Sequence, residues 1–150
     1  MSTRLTGRAL PEVAFLPGRG QREAPTFVPA ENDLAFGIDL FHHGFLWEAH
    51  EVWERSWREA RAGSATAHAL RGLIQAAAAM LQGELGRPVG LASLAAKAEL
   101  ELAQGGTRLA AEGLVIDLVA LRRDLASWVA AGAARAARPR ISWAWAPPPA

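Results

Sequence analysis

The residues best suited to chemistry lie in one short run, Phe41-His42-His43-Gly44-Phe45-Leu46-Trp47-Glu48-Ala49-His50-Glu51-Val52-Trp53-Glu54-Arg55-Ser56-Trp57. On a helix that advances about 100° per residue, Leu46, His50, Trp53 and Trp57 share one stripe. His50 then falls among apolar side chains that face a core, and Glu54, four residues on, lies beside its imidazole. Trp47, Glu51 and Arg58 flank this stripe, Ala49 borders its other side, and Glu48, Arg55 and Glu59 are expected to turn outward. A later helix offers Gln75, with Arg71 one turn earlier, on a face that could meet the same spot.

An imidazole and a carboxylate in an apolar layer must find partners. One solution is a closed network in which Glu54 accepts from His50 and Gln75 or Arg71 completes the bonding, fixing helix register without catalysis. The other is a metal site. His50, Glu51 and Glu54 form His-Glu-x-x-Glu, one ligand short of the metalloprotease His-Glu-x-x-His helix. Their nitrogen and oxygen donors suit zinc, manganese or ferrous iron, and catalytic zinc commonly takes three protein ligands plus water. His50 and Glu54 supply two ligands; a third has to come from His43, His42 or Gln75, although Gly44 is expected to break the helix after His43. The candidate metal ligands are therefore His50, Glu54 and His43. Glu51, as proton acceptor, and Gln75 are the candidate catalytic residues. A di-iron centre is not expected, because only one helix carries both acid and histidine.

The elements that must position these groups read as helices. Residues 1–28 hold Pro11, Pro17, Gly18, Gly20 and Pro25, a spacing that forbids a long helix and predicts an extended arm. Pro29 opens the first helix, with Leu34, Ile38 and Phe41 at helical spacing up to Gly44. The second runs from about Phe45 to Arg61. Ser64 or Thr66 caps the third, which carries Leu70, Leu73, Ile74, Ala77 and Leu81. The fourth covers about Val89 to Gln104, and Asp117 caps a fifth that bears Leu118, Leu121, Leu125 and Trp128. No alternating pattern is long enough to predict a strand. The expected class is all-α: a single-domain antiparallel bundle of about five helices over residues 29–132, with an N-terminal arm (1–28) and a C-terminal tail (133–150).

Composition removes several function classes. There is no cysteine, which excludes disulfides, thiolate metal sites and cysteine nucleophiles. The net charge of +1 sets up no strong field toward nucleic acid or a membrane surface. Arg135, Arg138 and Arg140 with Trp143 and Trp145 mix base and aromatic as single-strand binders do, but the surrounding prolines favour a packing arm. His68 is expected to be a solvated side chain. No glycine-rich phosphate loop, nucleophile elbow or serine triad is present. Residues 1–10 have no apolar stretch for a signal peptide, and the run Leu73–Leu81 is too short to span a bilayer. A cytoplasmic protein is expected. Trp47, Trp128 or the tail tryptophans could pair apolar faces in a homodimer.

The run Gly44-Phe45-Leu46-Trp47-Glu48-Ala49-His50-Glu51, with Glu54 and Trp57 after it, resembles the signature of a small prokaryotic family, domain of unknown function 309. Gly72-Leu73-Ile74-Gln75-Ala76 is similar to its second signature, and Leu10-Pro11 with Leu16-Pro17-Gly18-Arg19 to an extension found in some members. The resemblance covers about residues 30–130. It implies a compact helical protein, and some members are labelled predicted metal-dependent hydrolases. The matching positions are Glu48, His50, Glu51, Glu54, Trp57 and Gln75. His42 and His43 depart from the family pattern, as does Trp53 where leucine is expected, and the indole is expected to narrow any pocket beside His50. Two functional readings stand: a metal-dependent hydrolase, or a non-catalytic helical scaffold or interaction module with a structural His/Glu/Gln network.

Overall fold

A computed structural model describes residues 4–20 and 23–147. Five helices dominate: α1 (Asp33–His42), α2 (Leu46–Glu59), α3 (Ala65–Glu84), α4 (Pro88–Gln104) and α5 (Leu118–Ala130). The helical class expected from the apolar spacing is therefore present. α3 packs against both α2 and α4, α1 against α2, and α5 against α4. The predicted caps form at two starts, where Ser64 Oγ accepts from Ala67 N at 3.1 Å and Asp117 Oδ1 from Ala120 N at 2.9 Å.

α1 is the innermost element, with every residue from Asp33 to Phe41 buried. A helix apolar nearly all round has no face to give to water. It begins at Asp33 rather than Pro29, and ends where Gly44 takes a φ of +85°, a conformation that costs glycine little. α2 crosses it closely. Trp53 is wholly buried, lies over Gly37 and donates its indole N–H to the Leu34 carbonyl at 3.1 Å. A Cβ at Gly37 would collide with that indole. Trp53 therefore fills the α1–α2 interface, contrary to the expectation that it narrows a pocket beside His50.

Strands were not expected, yet three are present: β1 (Arg108–Ala111), β2 (Leu114–Asp117) and β3 (Trp143–Trp145), antiparallel in that order. Glu112 and Gly113 both take positive φ and close a two-residue hairpin, the geometry that matches strand twist. Leu109, Leu114 and Ile116 point into the core, and β3 sets Trp143 opposite Ile116. Each strand is three or four residues long, too short to leave a readable alternation.

The segments before α1 and after α5 are strapped onto the helices. Three charged side chains are buried among the described residues, Asp33, Asp39 and Glu48, and all three hold the N-terminal segment. Asp39 accepts from Leu5 N (2.7 Å), Thr6 N (2.9 Å) and Thr6 Oγ1 (2.8 Å). Asp33 pairs with Arg8 at 2.7 Å, and Glu48 accepts from Phe15 N at 2.8 Å. At the other end, Ile141 donates its N–H to His42 Nε2 at 2.9 Å, and Arg138 reaches Glu84 at 3.0 Å.

Candidate functional site

α2 buries Leu46, Glu48, Ala49, Val52 and Trp53, so its inward face is centred near Ala49 and Val52. This corrects the expected stripe in two ways. His50 lies at the margin of the buried face, with 27% of its side chain exposed, and Glu48, expected outside, is fully buried. The large residues Leu46 and Trp53 are common to both stripes, which is why weighting by size rotated the face toward His50. The small residue Ala49 is wholly buried on the observed inward face, and it was the better guide.

At that margin His50, Glu51 and Glu54 each offer one ligand atom, all within 4.8 Å of one another. Glu51 Oε1 is 3.5 Å from His50 Nδ1, and Glu54 Oε2 is 3.5 Å from His50 Nε2. Glu54 is shared, because its Oε1 accepts from Arg58 at 3.0 Å. His50 Nδ1 is buried without a hydrogen-bond partner, as is Gln75 Oε1. A buried polar atom left unpaired calls for a partner such as an ion or water. The nitrogen and carboxylate donors fit a divalent transition metal.

The closed network expected from the sequence does not form. Among the described residues no hydrogen bond joins Gln75 or Arg71 to His50 or Glu54; Arg71 turns to Glu101 at 3.6 Å and stands over the Trp57 ring. His43 is not part of the cluster: it is exposed, and its Nδ1 bonds to the Asp39 carbonyl at 2.8 Å. His42, the other histidine considered as a third ligand, spends Nε2 on the backbone of Ile141. Burial, with the nearby Arg140 and His43 adding to it, pushes the His42 pKa down to about 4, so the ring is a neutral acceptor at pH 7. His68 is not simply solvated, since its Nδ1 lies 2.7 Å from Glu101 Oε2.

Residues 34–94 match the family model described as Domain of unknown function (DUF309). That segment is similar to this family. It runs from α1 into α4, so it contains the His50 cluster and Gln75 but none of the sheet, α5 or the two straps. The match is narrower than the resemblance over about residues 30–130. No curated protein and no solved structure matches the chain. No helix among the described residues is long and apolar enough to cross a membrane.

The tryptophans expected to anchor a homodimer are largely engaged within the chain. Phe15 packs edge-on against Trp47 with centroids 4.7 Å apart, and Trp128 is buried, donating to the Ala134 carbonyl at 2.8 Å. Trp143 and Trp145 sit on β3, and Trp145 stays half exposed.

Proposed function

We propose that the DUF309 segment holds a divalent zinc, manganese or iron ion at His50 and Glu54 and serves metal-assisted hydrolysis. The observation that carries this reading is the cluster in which His50, Glu51 and Glu54 each offer a donor atom within 4.8 Å of the others, with Glu54 facing His50 Nε2. A bound ion would supply electrophilic activation of water near neutral pH. Glu51 is the most exposed of the three, at 38%, and is the proton acceptor in this reading. Gln75 offers an unpaired oxygen suited to a donor from ligand or water. Arg58 holds Glu54 from the side away from His50 and restrains its rotation.

The test is elemental analysis of untagged protein prepared without chelator. Near-stoichiometric metal is expected, lost by more than tenfold in His50→Ala and Glu54→Ala. In Glu51→Gln, metal should persist while hydrolysis of chromogenic ester substrates falls at least a hundredfold. Metal-free protein that takes up no zinc, manganese or iron on dialysis would overturn the reading. The alternative, a scaffold in which this face is an ion-pair network, draws on the Glu54–Arg58 pair at 3.0 Å, an ordinary i, i+4 surface arrangement. It predicts that the same dialysis finds no binding, and a homodimer built on such a scaffold would show in light scattering across dilution.

A further inference from the structure

Imidazole and carboxylate meet at a second place. A cavity of about 380 Å³ opens between the end of α2, the turn that follows it, the first turns of α3, and α4. Its polar side carries Arg58, His68, Arg71 and Glu101, and its apolar side carries Trp57 and small alanines. Both oxygens of Glu101 are engaged by other residues of this wall. One lies 2.7 Å from His68 Nδ1, and the other lies 3.6 Å from Arg71 Nε. The first contact fixes the imidazole through Nδ1 and places the ring on the cavity wall. The second, with the Arg71 guanidinium carbon 5.4 Å from the Trp57 centroid, fixes the arginine while sparing its terminal N–H groups.

Hydrogen-bond donors then decide what fits. Each arginine is paired with one carboxylate, Arg58 with Glu54 and Arg71 with Glu101, and each contact leaves the other N–H groups of its guanidinium to a further acceptor. Arginine forks match the oxygens of carboxylates and phosphates. The volume lies within the range of small-molecule sites and exceeds what a lone ion fills. We propose that this cavity binds the oxyanion end of a small molecule, a carboxylate or a phosphate, through Arg58 and Arg71 beside His68, with the remainder against Trp57 and the alanines. Glu54 connects the two sites, since one of its oxygens faces His50 and the other holds Arg58. That the ligand is a substrate rests on the hydrolase reading; that it binds does not.

The experiment titrates full-length, chelator-treated protein with inorganic phosphate and, separately, with butyrate, following the His68 ring signals by NMR. Those signals are assigned by their loss in His68→Asn. A saturable shift is expected, weakened at least fivefold in Arg71→Gln and unchanged in Arg123→Gln on α5. Arg71 is half exposed, so its variant should keep the wild-type amide spectrum. Saturation by phosphate alone supports a phosphoryl ligand, by butyrate alone a carboxylate, and by both the shared oxyanion chemistry. No saturable shift with either anion, or equal affinity in Arg71→Gln, overturns the proposal. Because no metal is present, its failure leaves the metal reading standing, and a failed metal assay leaves anion binding standing.

Discussion

Glu48 shows what a single charge does inside this fold. Burial pushes its carboxyl above the usual range, and the N–H of Phe15 only partly opposes that. A raised folded pKa means that the folded protein binds more protons than the unfolded chain between the ordinary value of 4.5 and the raised one. Stability attributable to this group therefore falls as pH rises through that interval. Glu48→Gln keeps an acceptor for Phe15 and removes the charge. It should raise the melting temperature at pH 7 by a few degrees, with the advantage shrinking toward pH 4 in thermal scans. A variant less stable than wild type at pH 7 would mean that the ionised carboxylate has a favourable role. The sequence reading put Glu48 outside and His50 inside, although both lie within the segment that matches the family model. Periodicity locates a face to within about one residue step, and one step is the angular difference between these outcomes.

At the scale of elements, α2 and α3 were legible because their caps, glycine stops and 3–4 spacing agree with one another. The sheet was not. β3 pairs with β2 across α5 and the following turn, and no local pattern in Trp143–Trp145 specifies a partner that far back in the chain. The grouping of His50, Glu51 and Glu54 was legible because one helix supplies all three side chains, whereas the His68–Glu101 contact joins α3 to α4 and left no trace in spacing. The tail has its own pH response. His42 must be neutral to accept from Ile141, and its folded value of about 4 lies below its ordinary 6.5. The unfolded chain therefore binds the proton first on acidification. The stabilisation is complete above pH 6.5 and is lost as pH falls toward 4, a loss of at most about 3 kcal/mol. Stability from urea unfolding should drop across that window in the wild type, and the drop should be smaller in His42→Gln.

For the whole molecule, the straps matter as much as the bundle. The three buried acids are spaced along the N-terminal segment's path, at Leu5–Thr6, Arg8 and Phe15, and an extended chain with no internal ladder depends on such anchors. Asp39→Ala leaves two backbone N–H groups and a hydroxyl without their acceptor. It should cost about 2–4 kcal/mol in denaturant unfolding and speed proteolysis within residues 4–20. An unchanged cleavage pattern would show that apolar contacts alone hold the segment, among them Phe15 on Trp47 and Phe27 on Phe36. The sequence predicted extended arms but not their receptors, because an acid within an apolar helix such as α1 reads as a misfit until its distant partner is known.

α1 is gripped from both directions, by Leu5 and Thr6 at Asp39 and by Ile141 at His42. A ribosome makes the first of these grips available about a hundred residues before the second. Throughout synthesis of the intervening hundred or so residues, the nascent protein must carry its most water-averse helix with one neighbour still missing.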